Sequence, residues 1–232
     1  MKKIFQWLND LVSIFYPRGC IGCGIPLQRN ENFLCLNCLL HLPETNYHLT
    51  EENPLEKIFW GRVPVEHVYS FLFFRKGNAV QSILHQLKYK GNKEIGAYLG
   101  EMYGQKLTRA GCLADVDVIV PIPLHPKKLR IRGYNQSEWI AMGLSKGLGL
   151  PYSNDFLVRA TFTETQTRKS RFNRWQNVKD VFQAANVEEL AGKHVLVCDD
   201  VLTTGATTEA AIRKLIEVPG VRVSVVTLAT AK

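Results

Sequence analysis

Hydrophobic and polar positions follow two different periods along the chain. Four short apolar runs, "VEHVYSFLFF", "VDVIVPIP", "HVLVC" and "VRVSVVTLAT", are typical of strands buried in a sheet. Apolar residues recur at helical spacing from Ala79 to about Ala110, broken at "YKGN", and again in "NQSEWIAMGLSKGLG" and "TTEAAIRKLIE". Because strands alternate with helices, the pattern predicts an α/β fold, a mostly parallel sheet flanked by helices.

The N-terminus has a helical period of its own, carried by five apolar residues: Phe5, Leu8, Leu11, Val12 and Phe15. It predicts an amphipathic helix that docks on its own protein, with contact to a membrane surface as the alternative. Polar residues interrupt this run and no small-residue cleavage site follows, which argues against a signal peptide. No later run is long enough to cross a bilayer, so we expect a cytoplasmic protein without a transmembrane segment.

Four of the six cysteines form two CxxC pairs: Cys20 with Cys23, and Cys35 with Cys38. In an unexported protein this doubling favours a structural Zn²⁺ site with four sulfur ligands, and a redox dithiol is the alternative. A polar connector follows Pro43, which predicts a domain boundary. Residues 1–50 are therefore assigned to the amphipathic helix and the four-cysteine zinc finger, and residues 51–232 to the α/β domain.

Composition narrows the classes of partner. The 46% hydrophobic content is that of a globular protein with a core, which excludes a disordered chain. The 29 Lys and Arg residues exceed the 21 Asp and Glu residues and give a formal charge of +8. This excess favours an anionic partner, namely a phosphorylated metabolite, nucleic acid or an anionic membrane surface.

The stretch "VLVCDDVLTTGAT" places two carboxylates, Asp199 and Asp200, at the carboxyl end of a buried strand, where open α/β sheets bind ligands. The threonine loop that follows leads into a helix N-terminus, whose free N–H groups favour a phosphate. The loop lacks the lysine of a Walker A motif. Carboxylates beside a phosphate site suit a ribose 5-phosphate group. The residues of this motif are Asp199, Asp200, Thr203, Thr204, Gly205, Ala206 and Thr207.

The motif resembles the phosphoribosyl-pyrophosphate (PRPP) signature of type I phosphoribosyltransferases, with Cys198 as a buried apolar residue. Together with "LHQLKYKGN", "PIPLHPKKLRIRGYNQ", "TQTRKSRFNRWQN" and the four cysteines, the chain resembles the ComF family of competence-associated, phosphoribosyltransferase-like proteins. The resemblance implies the type I phosphoribosyltransferase fold over residues 51–232 and PRPP binding with Mg²⁺. It also implies displacement of pyrophosphate at the ribose if the protein is a catalyst, and a link to single-stranded DNA during natural transformation.

Three further segments supply cations for pyrophosphate. A basic loop after "VDVIVPIP" carries four of them, of which Lys128 and Arg132 are expected at the substrate together with Asn135 and Gln136 at the following helix. Lys88 is expected in the same pocket. The segment from Gln166 to Asn177 resembles the flexible loop that closes over substrate in type I enzymes. Its Arg171 and Arg174 join Asp199 and Asp200 as the expected catalytic residues.

Two functions remain open at this point. The first is a PRPP-binding ComF protein of DNA uptake whose partners are PRPP, single-stranded DNA and a DNA-uptake helicase. The alternative is a phosphoribosyltransferase that moves the phosphoribosyl group to a nitrogen acceptor and releases pyrophosphate. The sequence does not decide whether catalysis occurs. A third function, a transcriptional regulator that responds to PRPP, is not supported because the sequence contains no helix-turn-helix pattern.

Overall fold

The computed structural model describes residues 18–159 and 181–231. Its main sheet contains four strands in the order β1, β6, β5, β2, and every neighbouring pair is parallel. A second, two-stranded sheet pairs β3 with β4 antiparallel. The strands are β1 Val68–Phe74, β2 Val118–Pro121, β3 Leu157–Arg159, β4 Phe182–Ala184, β5 His194–Leu202 and β6 Arg222–Ala231. The predicted parallel sheet is confirmed.

Seven α-helices are present in the described part of the chain, one before β1 and six between the strands. They are α1 Leu36–Leu40, α2 Ala79–Tyr89, α3 Glu94–Arg109, α4 Pro126–Arg132, α5 Gln136–Leu148, α6 Val187–Leu190 and α7 Ala206–Leu215. The break predicted at "YKGN" separates α2 from α3, and Gly91 takes a left-handed conformation there, with φ of +75°. The three helical stretches predicted from Ala79 onward are therefore confirmed.

Alternating residues of the central strands face two hydrophobic layers. Leu196 and Cys198 of β5 face a layer built with α2, α3 and α5. Val195 and Val197 face the opposite layer, which contains α7 and residues 55–63. The Cys198 side chain is fully buried, which confirms its expected place in the core.

Helices α3 and α5 pack with their backbones in contact because glycines line both sides of the interface. A Cβ added at Gly143 would lie 2.0 Å from the carbonyl oxygen of Ala97, and one at Gly100 would lie 2.5 Å from that of Ile140. Thr108 adds hydrogen bonds of 3.0 Å to the carbonyls of Gly104 and Gly147. Helix α5 is thus held firmly against α3, and its N-terminus is held above the end of β5.

The cysteine segment packs on the α/β domain. Cys20, Leu34 and Leu42 belong to the hydrophobic layer that contains α2 and α3, and the rings of Phe33 and Tyr98 lie 5.4 Å apart. The polar connector runs along the edge strand β1, where the N–H of Thr45 donates to the Phe71 carbonyl at 2.9 Å. The two parts proposed as residues 1–50 and 51–232 therefore share a continuous core across the described residues.

Two predictions lie outside the described residues. They are the amphipathic helix near the N-terminus and the basic segment that contains Arg171 and Arg174. Within the described ranges, no helix is both long and apolar enough to cross a membrane.

Candidate functional site

The acidic pair lies on a part of β5 that extends beyond its neighbour. The sequence predicted a strand that ends at Cys198, but β5 continues through both aspartates to Leu202. Strand β2 ends at Pro121, which pairs with Cys198, whereas β6 pairs with β5 up to Leu202. Beyond Cys198, one edge of β5 is therefore open, and the N-terminus of α5 lies there.

Asp199 is held by two hydrogen bonds to one carboxylate oxygen. The Ser137 hydroxyl donates to Oδ1 at 2.9 Å, and the backbone N–H of Asp200 donates to the same atom at 2.8 Å. Burial and the neighbouring Asp200 charge raise the pKa of Asp199 to about 7, although both hydrogen bonds and Lys88 act in the opposite direction. The Asp199 carboxyl group therefore gains and loses its proton near neutral pH.

Asp200 is paired with a lysine from a different element. The Nζ atom of Lys88, in the last turn of α2, lies 3.1 Å from Oδ1 of Asp200. Both side chains are shielded, with 23% of Lys88 and 15% of Asp200 exposed to solvent. Such a pair interacts more strongly than one on the surface because less water screens it.

The threonine loop is shaped by Gly205. Its φ is +74°, and a Cβ on it would lie 2.9 Å from Cγ2 of Ile58 and 3.1 Å from the ring of Phe59. Arg62 supports the same loop, since its guanidinium donates to the Thr204 carbonyl at 2.9 Å and pairs with Glu209. Helix α7 begins directly afterwards at Ala206, so its first N–H groups point towards the loop as predicted.

The basic segment after β2 is a helix, not the loop that was predicted. Helix α4 has Pro126 at its start, His125 as the N-cap, and Gly133 in the left-handed conformation at its end. Because the segment is helical, its four cations point to different sides of α4. Lys128 and Arg132 lie four residues apart and line the cavity beside the acidic pair, whereas Lys127 and Arg130 do not.

A cavity of about 600 Å³ collects most of the predicted residues. The predicted residues that line it are Lys88, Lys128, Arg132, Gln136, Asp199, Asp200, Thr203 and Thr207. Thr204, Gly205 and Ala206 shape the loop and helix start without lining the cavity. Asn135 is directed elsewhere, because its side chain accepts from the Ser137 N–H at 3.2 Å and donates to the Ile122 carbonyl at 3.0 Å.

Gln136 is the most buried polar side chain of the predicted set that lines the cavity, at 1% exposure. Its Oε1 accepts from the Arg132 guanidinium at 2.8 Å. Among the described residues, no acceptor lies within hydrogen-bonding distance of its Nε2. A buried amide donor without a partner is costly unless a ligand supplies the acceptor, so this atom fits a polar ligand.

Sequence reasoning missed several residues that line the cavity. Ser137 follows directly after the predicted Gln136, and its hydroxyl could have been anticipated at a helix N-terminus. Arg159 could not, since it comes from the three-residue strand β3, which is too short to show a period. Its guanidinium lies over the Phe182 ring, 5.1 Å from the centroid, and donates to the Pro123 carbonyl at 3.3 Å. His85 and Gln81 line the cavity from the exposed side of α2.

The four predicted cysteine ligands form a second site. The Sγ atoms of Cys20, Cys23, Cys35 and Cys38 all lie within 4.8 Å of one another. Those of Cys23 and Cys35 are 3.7 Å apart, close to the edge of about 3.8 Å expected for a tetrahedron with ~2.3 Å metal–sulfur bonds. A Cβ on Gly22 would lie 2.9 Å from the Cys38 sulfur, so only glycine fits there. The cluster fits a metal ion.

Backbone hydrogen bonds also favour the thiolate form of these cysteines, which binds a metal. Burial raises the pKa of the Cys20 thiol, but N–H groups of Cys35, Cys23 and Gly22 lower it by more, and the net value is about 7. The Cys35 N–H lies 3.2 Å from the Cys20 sulfur, and the Cys38 N–H lies 3.4 Å from that of Cys35. Such donors stabilise the thiolate form that a metal requires.

Comparison with protein families assigns the C-terminal part of the chain. A model described as "Phosphoribosyl transferase domain" matches residues 134–232. These residues include α5, β5, the threonine loop and α7. The match agrees with the sheet described above and confirms the predicted fold class, that of type I phosphoribosyltransferases.

Similar proteins carry names that refer to DNA utilization or to competence. "DNA utilization protein YhgH" of Escherichia coli (strain K12) is 28% identical over 209 residues, which are 82% of this chain and 87% of that protein. "Competence protein F" of Haemophilus influenzae is 37% identical over 106 residues, 45% of this chain and 46% of that one. "Competence protein ComFC" of Bacillus subtilis is 33% identical over 100 residues, 43% and 38% of the two chains.

Among solved structures, a glutamine PRPP amidotransferase from B. subtilis aligns with a TM-score of 0.40 at 22% identity. The alignment covers 57% of this chain and 26% of that one. This likeness is too low to carry an argument about function.

Proposed function

We propose that the chain is a phosphoribosyltransferase-like DNA-uptake protein of the ComF family, and that its cavity binds the phosphoribosyl group of PRPP. The observation that carries the proposal is the convergence of Asp199, Asp200, Thr203 and Thr207 with cationic side chains on one cavity. Carboxylates accept hydrogen bonds from vicinal hydroxyls, while hydroxyls and free N–H groups at the start of α7 hold a phosphate. Ribose 5-phosphate has both kinds of group.

The charge of the cavity supports an anionic ligand. Among the described residues, four cations line it, namely Lys88, Lys128, Arg132 and Arg159, against two carboxylates. Lys128 and Arg132 lie on α4, on a different element from Lys88, where they suit the pyrophosphate arm. The unpartnered Nε2 of Gln136 gives that arm a neutral donor.

The proposal includes two metal ions with different roles. Zn²⁺ is assigned to the four cysteines as a structural ion, because four sulfur ligands leave no open position for chemistry. Mg²⁺ is assigned to the ligand, and when bound it would neutralise charge on the pyrophosphate and ribose oxygens. Arg171 and Arg174 stay proposed contributors from the segment outside the described residues.

We further propose that the protein acts in the cytoplasm, where single-stranded DNA and a DNA-uptake helicase are its partners. The names of the relatives, which refer to DNA utilization and competence, support this setting. The formal charge of +8 supports contact with a polyanion.

The test is calorimetric titration of PRPP with Mg²⁺ into the wild-type protein and into an Asp199→Asn, Asp200→Asn double variant. We expect the double variant to lose PRPP binding and to keep its metal content. Glu188→Gln with Glu189→Gln is the matched control, because it removes two adjacent acids from the exposed helix α6. Equal PRPP affinity in wild type and in the aspartate variant would overturn the site.

Pyrophosphate release from PRPP, measured with and without nitrogen acceptors and single-stranded DNA, separates binding from turnover. Release that requires both aspartates and an acceptor would establish a transferase. Tight binding without release, altered by single-stranded DNA, is the result expected for the role in DNA handling.

A further inference from the structure

We propose that Lys88 is a built-in counter-cation for the acidic pair, which allows the cavity to hold ribose hydroxyls without Mg²⁺. The inference rests on the proposed function and changes two roles in it, that of Lys88 and that of Mg²⁺ at the ribose. Lys88 was expected at the pyrophosphate, but its Nζ lies 3.1 Å from Asp200 Oδ1. Within this site, Mg²⁺ would then be needed for the pyrophosphate arm of the ligand and not for its ribose.

Helix α2 holds Lys88 in a fixed position. Leu84 and Leu87 of α2 are buried in the core, and the Tyr134 hydroxyl donates to the Leu87 carbonyl, which fixes the last turn of the helix. A lysine in the last turn is also favoured by the negative end of the helix dipole. The ammonium group therefore lies in a defined place over Asp200.

Both carboxylates keep free acceptor positions for ribose hydroxyls. Asp199 Oδ1 already accepts two hydrogen bonds, from Ser137 and from the backbone. Asp200 Oδ1 is paired with Lys88, but an ionised carboxylate has about four acceptor positions on its two oxygens. Both residues can thus accept ribose hydroxyls while Lys88 stays in place.

The negative charge of the acidic pair favours a cation beside it. Two adjacent carboxylates in a shielded cavity repel each other and would repel the phosphate of an entering ligand. A cation has to offset this charge, and Mg²⁺ commonly does so beside phosphates. Lys88 supplies that cation from the chain itself, while Lys128 and Arg132 on α4 remain for the distal phosphates.

The experiment titrates ribose 5-phosphate, which lacks the pyrophosphate arm, into wild type, Lys88→Met and Lys90→Met. Each titration is run in magnesium-free buffer and with Mg²⁺. For wild type we expect the affinity to change by less than about twofold when Mg²⁺ is added. For Lys88→Met we expect a loss of about tenfold or more without Mg²⁺, which Mg²⁺ partly restores. Lys90→Met removes a lysine outside the cavity lining and should match wild type.

A double-mutant cycle tests whether Lys88 acts through Asp200. In an Asp200→Asn background, Lys88→Met should no longer weaken ribose 5-phosphate binding, because the charge it offsets is gone. Lys88→Arg should retain most of the affinity, and thermal unfolding of each variant checks that it is folded.

Three results would overturn the inference. Wild type could require Mg²⁺ for ribose 5-phosphate, Lys88→Met could bind as wild type in magnesium-free buffer, or the effect of Lys88→Met could persist unchanged in the Asp200→Asn background. In all three cases the proposed function stands if PRPP still binds. If wild type binds neither ribose 5-phosphate nor PRPP under either condition, the proposed function fails as well.

Discussion

Asp199 combines its proposed role in ligand binding with a cost to the stability of the fold. Its pKa is raised from 3.8 to about 7 by burial and by the charge on Asp200. The folded state therefore holds this proton more tightly than the unfolded state does. It follows that the contribution of Asp199 to stability decreases as pH rises from about 4 to about 7.

We therefore expect Asp199→Asn to gain stability relative to wild type as pH rises. The amide cannot ionise, and its oxygen can still accept the Ser137 hydrogen bond. Thermal unfolding of both proteins at pH 5 and pH 8 measures this, and the difference in Tm should shift in favour of the variant at pH 8. Asp155→Asn, at an exposed position, is the control. A difference that is the same at both pH values would contradict the assignment.

A second prediction for a single residue concerns the stability lost when Gly205 is replaced by alanine. Alanine there has to adopt φ of +74°, which costs about 1–2 kcal/mol, and its Cβ would also press on Ile58 and Phe59. The added crowding costs roughly 1–3 kcal/mol more. Gly149→Ala is the matched control, because Gly149 has φ of +72° with nothing within 4 Å of its Cβ position.

Urea unfolding should accordingly show a larger loss for Gly205→Ala than for Gly149→Ala. Only the Gly205 variant should also weaken PRPP binding, since it alone distorts the threonine loop. Equal losses of unfolding free energy in the two variants would show that the Ile58 and Phe59 side chains move aside without cost.

Elements with a clear hydrophobic period could be predicted from the sequence. Elements that are defined by helix caps, or that are too short to show a period, could not. The apolar runs of β1, β2, β5 and β6 and the helical spacing of α2, α3, α5 and α7 identify those elements. In α4 cations alternate with Leu129 and Ile131, so it shows no helical stripe, and its caps fix the helix instead. The antiparallel pair β3 and β4 is too short for any period, which is why Arg159 escaped prediction.

The acidic pair and the threonine loop were predictable because their spacing on one strand and one helix start is local. The Ser137 and Lys88 contacts depend on tertiary packing, and no local spacing reports that Lys88 faces Asp200 and not a phosphate.

Metal removal tests the relation between the cysteine unit and the rest of the fold. With a chelator, amide hydrogen exchange should increase over residues 18–42 and at the start of α2, because a Cβ on Gly22 would lie 3.4 Å from that of Ala79. PRPP affinity should change by less than about threefold, since the cavity shares no residue with the cysteine cluster. Parallel loss of both would mean that the unit and the cavity fold together.

On the scale of the whole molecule, the charge of +8 predicts different salt responses for the two proposed ligands, single-stranded DNA and ribose 5-phosphate. Binding of single-stranded DNA releases many counterions, so its affinity should fall by about tenfold or more between 50 and 200 mM salt. Ribose 5-phosphate, a single small anion, should lose much less. Fluorescence anisotropy for DNA and calorimetry for the sugar phosphate measure the two slopes, and equal slopes would argue against an extended DNA contact.

The glycine contact between α3 and α5 has a consequence for engineering the ligand preference of this protein. Because Gly143 leaves no room for even a methyl group against Ala97, α5 offers no freedom to reshape the cavity from its side. Gln81 and His85 on α2 and most residues of α4 are exposed, so their side chains are less constrained by packing. A combinatorial library aimed at new ligands would therefore diversify α2 and α4 and keep α5 constant as a fixed template.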